Sequence, residues 1–156
     1  MTFAQVKMAS KIGPLYLVAS EKGLKGIYWE KQSVPMKPEG GPALKIAEKA
    51  QQELAEYFLG KRKQFQVKLD LDGTDFQKRV WKELMRIPYG ETRSYKDIAI
   101  RLKDPNASRA VGTANGKNPV CIIVPCHRVI AADGSLGGYS GGLNKKKVLL
   151  KVEGVL

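Results

Sequence analysis

Asp72-Gly73-Thr74-Asp75-Phe76-Gln77-Lys78-Arg79-Val80-Trp81-Lys82-Glu83-Leu84 is the stretch at which the chain changes its period. From Thr74 onward the apolar residues Phe76, Val80, Trp81 and Leu84 recur at helical spacing, with Thr74 placed to cap the N-terminus and Pro88 to enforce the end. Before Asp72 the pattern is of the other kind. Phe3–Ala9, Leu15–Ala19 and Leu24–Trp29 alternate apolar and polar residues in short runs, separated by the turn sequences Ile12-Gly13-Pro14 and Glu21-Lys22-Gly23. Strands first and helices afterwards predict an α+β chain with its two kinds of element segregated.

The N-terminal part, 1–73, reads as a small antiparallel sheet plus one helix. Gln32–Pro42 contains Pro35, Pro38, Gly40, Gly41 and Pro42 and is expected to be a loop. Ala43 to Leu59 then sets Leu44, Ala47, Ala50, Leu54 and Phe58 on one helical face, with Gly60 as the C-cap. Phe65–Leu71 alternates only weakly. The C-terminal part, 74–156, is expected to be mainly helical. Helices over Tyr95–Leu102, with Ile98, Ala99 and Leu102 buried, and over Ala107 to Asn115 are joined by Lys103-Asp104-Pro105-Asn106, a helix-turn-helix pattern. After Asn118-Pro119 the apolar run Val120-Cys121-Ile122-Ile123-Val124 reads as a buried strand ending at Cys126. Val129–Ala131 and Leu136 flank Asp133-Gly134, a hairpin-type turn. A glycine-rich loop, Gly137–Gly142, leads into a last helix from Leu143 to about Val152.

With 156 residues and 43% hydrophobic content the chain can bury one or two cores. No apolar run reaches the roughly 18 residues of a membrane span, and the first residues lack a signal-peptide layout, so a cytoplasmic location is expected, or a nuclear one in a eukaryote. The net charge of +12 favours a polyanionic partner, with nucleic acid foremost. Residues 74–156 hold 15 Lys and Arg against 7 Asp and Glu, whereas 1–73 hold 12 against 8. Two cysteines, Cys121 and Cys126, with one histidine are too few soft ligands for a zinc centre, and both thiols are expected to be free. No metal site is expected.

Cys126 is followed by the only histidine, His127, and then by Arg128, surroundings that raise the population of a reactive thiolate. His127 could equally be a structural histidine, and Cys121, inside an apolar run, reads as a small hydrophobe. Neighbouring side chains on an extended strand point to opposite faces, so thiol and imidazole communicate only through a local turn or a water. Glu153, the only carboxylate after Asp133, is available to orient the imidazole.

Pro125-Cys126-His127-Arg128-Val129 resembles the active-site motif of the O6-alkylguanine-DNA alkyltransferase family. The likeness extends to Ile87-Pro88-Tyr89-Gly90-Glu91-Thr92, Ser94-Tyr95, Ser108-Arg109-Ala110-Val111-Gly112, Gly116, Asn118-Pro119, Gly138-Tyr139-Ser140-Gly141-Gly142-Leu143 and Glu153. It covers about half the chain, from Thr74 onward. The resemblance implies direct repair of double-stranded DNA, in which the alkyl group of O6-alkylguanine, with O4-alkylthymine as a further substrate, passes to Cys126 and stays there. It implies a single-turnover methyltransferase that needs no cofactor, acts as a monomer and binds the minor groove with little sequence preference. Residue by residue it implies that Arg109 enters the base stack, Tyr95 protonates the leaving base, and Ser140, with Tyr139, and the carbonyls of Cys126 and Val129 hold the flipped guanine. His127 and Glu153 activate the sulfur, and Asn118 ties the turn before it. Thr113 and Asn115 differ from some members near the pocket mouth, which bears on the size of alkyl group accepted. Three rivals remain: a module that only recognises alkylated DNA, a cysteine hydrolase, and a helix-turn-helix regulator that would not need Cys126.

Overall fold

The computed structural model describes residues 2–36 and 41–156, and the chain divides into two compact units, Met1–Asp72 and Gly73–Leu156. In the first, β1 (Ala4–Met8), β2 (Leu15–Ala19) and β3 (Leu24–Tyr28) form an antiparallel sheet in that order, with Val6 opposite Leu17 and Leu17 opposite Ile27. Alternation delivers Leu15, Leu17 and Ala19 to one buried face, and a register shift at Val18/Ala19 sets Leu24 opposite Ala19 and Ile27 opposite Leu17 in the same core, each large aliphatic side chain contributing about 1.5–3 kcal/mol. Helix α1 (Pro42–Phe58) packs on β1 and β2 through Ala43, Ala47, Ala50 and Leu54. It starts one residue earlier than expected because Pro42 suits the first helical turn. The predicted loop over Gln32–Pro42 holds through Met36, apart from a bridge between Phe3 and Met36, and its residues 37–40 lie outside the described residues.

The weak alternation of Phe65–Leu71 becomes a single parallel bridge. Leu24 donates its N–H to Lys68 at 2.8 Å and accepts from Asp70 at 2.9 Å. Gly23 is required there, since a Cβ would come within 2.6 Å of the Leu69 carbonyl carbon.

In the second unit α2 (Asp75–Leu84) opens with a complete capping box between Thr74 and Gln77. It ends before the expected Pro88, and a tight reversal carries the chain to the two-residue strand β4 (Arg93–Ser94). Ser94 then caps α3 (Tyr95–Arg101), again with a capping box, through Asp97. The turn after α3 leads to α4 (Ser108–Gly116), and α2, α3 and α4 pack against one another. Trp81, 1% exposed, donates its indole N–H to the Ala114 carbonyl at 2.9 Å, fixing α2 to α4.

Two expectations are corrected here. Val120–Val124 is buried but is not a strand: Val124 N–H donates to Val120 at 3.0 Å, Ile123 N–H to Cys121 at 2.9 Å, and Ile122 has φ of 75°. A five-residue apolar run reads the same in a strand and in a buried turn. Asn118 decides for the turn, donating through Nδ2 to the Val124 carbonyl at 2.7 Å and accepting from Val120 N–H at 3.0 Å. The second correction concerns the hairpin. β5 (Val129–Ile130) pairs in parallel with β4, and the turn at Asp133-Gly134 closes between Ala131 and Ser135 without a returning strand at Leu136. The last helix, α5, runs Leu143–Val152 as expected.

Candidate functional site

Between the Asn118-closed turn and β5 lies one turn of 3-10 helix, Cys126–Arg128. This is the local turn that an extended strand would have lacked. It places Cys126 (3% exposed), His127 (0%) and Arg128 (6%) in the interior together. Burial on this scale requires partners for the charges.

Glu153, the residue that ends α5, supplies them. One carboxylate oxygen lies 2.5 Å from His127 Nε2 and 3.1 Å from Arg128 Nη2; the other accepts from Arg128 Nε at 2.8 Å and from Gly90 N–H at 3.0 Å. Arg128 Nη1 donates to the Ile87 carbonyl at 2.7 Å, its guanidinium stands 5.8 Å from the Tyr89 ring centroid, and the Tyr89 hydroxyl donates to Val152 at 3.0 Å. A bidentate guanidinium takes one site on each carboxylate oxygen and holds the group in place for the imidazole. The 3-10 turn, the 87–90 reversal and the end of α5 are locked together in this way.

Burial pushes the Cys126 thiol up to about 11, opposed by the Asn118 side chain and by the positive charge of Lys146. Burial holds His127 below its usual value despite the Glu153 carboxylate, so the imidazole is neutral near pH 7. A neutral ring that donates from Nε2 to Glu153 keeps Nδ1 as its basic atom. The Tyr95 hydroxyl is raised, chiefly by burial.

Cys126 forms part of the lining of a cavity of about 160 Å³. Tyr95, Gly112, Asn115 and Gly116 contribute from the helices, and Gly138, Tyr139 and Ser140 from the glycine-rich loop. A cavity of about 150 Å³ accepts a benzene ring, so this one suits a planar ring system. Tyr95 and Gly112 also border an open groove of about 600 Å³, lined as well by Lys96, Ser108, Arg109, Thr113, Ala131 and Ala132.

The structure thus brings Cys126, Tyr95, Tyr139 and Ser140 to one cavity, pairs His127 with Glu153, and brings Arg109 to the adjoining groove. Asn118 closes the turn before Cys126, as its position suggests. Val129 does not line the cavity, and its carbonyl is occupied by Lys146. Sequence reasoning quoted Gly112 in a motif without giving it a role and passed over Lys146. Lys146 was hidden in Lys145-Lys146-Lys147, although its spacing to Leu149 and Leu150 places it on their buried face. Among the described residues no cluster of His, Cys, Asp and Glu could hold a metal ion.

Comparison with known proteins decides the family. Residues 75–155 match the model of the 6-O-methylguanine DNA methyltransferase DNA binding domain, and residues 5–71 that of the ribonuclease-like domain of the same proteins. The chain belongs to the 6-O-methylguanine DNA methyltransferase family. It is 49% identical over 146 residues to a methylated-DNA--protein-cysteine methyltransferase of Methanosarcina barkeri, covering 92% of each chain. It is 50% identical over 145 residues to the protein of that name from Mycobacterium tuberculosis, covering 92% of this chain and 88% of the relative. Among solved 6-O-methylguanine DNA methyltransferase structures, Mycobacterium tuberculosis OGT in complex with DNA matches with a TM-score of 0.83 at 48% identity, over 94% of this chain and 90% of that one. The O6-methylguanine-DNA methyltransferase of Pyrococcus kodakaraensis matches with a TM-score of 0.59 at 27% identity, over 99% and 100%.

Proposed function

We propose that Cys126 is the alkyl acceptor in a direct-reversal repair reaction on double-stranded DNA. The protein is a methyltransferase that repairs DNA by moving an alkyl group to a cysteine. The observation that carries the assignment is the cavity, which takes a planar ring and has Cys126, not Cys121, in its wall.

A guanine inside a stacked duplex is out of reach of a buried sulfur, so the damaged nucleotide is turned out into the cavity. Arg109, in the groove beside it, takes the vacated place in the stack, and α4 lies in the minor groove, where binding tolerates many sequences. With its thiol raised to about 11, Cys126 is protonated at neutral pH, and attack requires that the proton be removed as the new bond forms. His127 takes that proton through a bridging water, with Glu153 holding the ring and balancing the imidazolium charge. The sulfur then displaces guanine at the alkyl carbon in line: the S–C bond forms and the C–O6 bond breaks. Tyr95 hands its proton to the departing base, while Ser140 and Tyr139 hold it in place. The product thioether has no leaving path, so each chain acts once. O4-alkylthymine is a second substrate on this scheme. The active form is a monomer, and a cytoplasmic setting keeps both thiols reduced.

The test is peptide mass spectrometry after mixing the protein with a duplex carrying one O6-methylguanine. One added methyl on the Cys126 peptide, limited to one per chain under excess DNA, is expected. A bound duplex with no mass gain moves the protein to the recognition-only reading. Arg109→Ala is expected to slow transfer from duplex DNA more than transfer from the free modified base; an equal loss on both substrates removes the base-stack role.

A further inference from the structure

Lys146 lies on α5 between two other lysines, yet it is 0% exposed. Its Nζ donates to the Val129 carbonyl at 2.6 Å, to the Gly138 carbonyl at 3.0 Å and to the Leu136 carbonyl. An ammonium group has three donors, and three carbonyls use all of them. Every partner is neutral, so the hydrogen bonds are satisfied while the charge remains unbalanced. Burying an ammonium without a carboxylate is costly, and the position of these carbonyls indicates what is gained.

Val129 begins β5, directly after the turn that carries Cys126. Leu136 and Gly138 frame the entry to the wall formed by Gly138, Tyr139 and Ser140. That wall sits close to Tyr95: a Cβ added at Gly137, which has φ of 69°, would lie 2.8 Å from the Tyr95 hydroxyl oxygen. Residues 131–142 include no helix or strand, so Lys146 supplies the cross-ties that regular structure would otherwise provide.

We propose that Lys146 is a positioning residue for alkyl transfer, its ammonium joining Val129, Leu136 and Gly138 so that the glycine-rich wall is held over Cys126. The proposal rests on the reading of Cys126 as the alkyl acceptor. A second effect follows from the unbalanced charge. The titratable groups that feel it are Cys126 and His127, both on the 3-10 turn, whereas β5 and the loop offer it only carbonyls. The positive charge favours the thiolate of Cys126.

Two variants separate the effects. Lys146→Met keeps the hydrocarbon stem and removes donors and charge. Lys146→Arg keeps the charge but presents a planar fork that cannot converge on three carbonyls. Single-turnover transfer from duplex O6-methylguanine is expected to fall about a hundredfold in both, as for a displaced catalytic geometry. Iodoacetamide reads the thiolate through the position of its pH profile, since access to the buried sulfur changes only the height of that profile, and peptide mass separates Cys126 from Cys121. The Cys126 profile is expected to move up by about one pH unit in Lys146→Met, a roughly tenfold loss of thiolate at neutral pH, and to stay near wild type in Lys146→Arg. Wild-type transfer rates in either variant overturn the positioning role, as does a loss that merely follows the thermal unfolding midpoint. If Lys146→Met fails to fold, Lys146→Arg alone decides. A wild-type protein that gains no methyl group sinks the alkyl-acceptor reading instead, and the iodoacetamide profiles still judge the charge of Lys146.

Discussion

His127 is under two opposing influences. Burial disfavours its charged form, the Glu153 carboxylate favours it, and burial is the larger. Its pKa in the folded protein therefore lies below the value of about 6.5 that it has when unfolded. The unfolded chain takes up the proton first as pH falls, so His127 contributes stability that is full above about pH 6.5 and is lost as pH falls through the folded value. The urea midpoint is expected to decline over that window, and His127→Gln to remove that part of the decline. Transfer is expected to persist at pH 6.5 and to weaken only below it, once the folded imidazole itself is protonated. A single-turnover rate that tracked a pKa of 6.5 or higher would show that the base is not this buried ring. Glu153 makes the difference between a buried histidine that only fills space and one with a defined basic atom, since its carboxylate fixes Nε2 as the donor.

Among the elements, the turn from Val120 to Val124 does most to place the sulfur, and Asn118 closes it from both ends. Asn118→Ala leaves one buried N–H and one buried carbonyl without those bonds and is expected to cost about 1–3 kcal/mol in urea denaturation. It should also slow transfer, because the turn carries Cys126; a stability loss with an unchanged rate would make Asn118 purely structural. This element also shows where sequence reading succeeds and where it stops. The helices were legible because Trp81, Ile98 and Leu54 recur at helical intervals and Thr74 is a strong cap. The sheet was legible because Leu15, Leu17 and Ala19 alternate. Cys126, His127, Tyr95 and Arg109 stood out by chemical type and by family likeness. The turn did not, since Cys121, Ile122 and Ile123 look the same in a strand, and Ile122 adopts a positive φ that β-branched residues rarely tolerate. Nor did the carbonyl cross-ties, because the partners of Lys146 are backbone atoms 8 to 17 residues away and carry no side-chain signature.

At the scale of the whole molecule, charge and burial do separate work. The excess of +12 acts at a distance and on the phosphate backbone, as suits a protein whose partner is DNA. Binding to an undamaged duplex is expected to weaken linearly in log–log form with salt, by about 0.9 per phosphate neutralised; a flat response would contradict the proposed groove contacts. Among the described residues no helix is long and apolar enough to cross a membrane. The burial of Cys126 has a consequence for the lifetime of an idle molecule. A reagent that can be used only once is wasted by any stray encounter with peroxide, a disulfide or a metabolic electrophile. A sulfur that is 3% exposed, with its thiol held at about 11, presents almost no thiolate to such agents. On the proposed scheme reactivity is called up by a guest that fills the cavity and brings its own electrophilic carbon against the sulfur. Shelf life and selectivity are then the same property, and a substitution that opened the cavity to solvent would shorten the first as surely as it blurred the second.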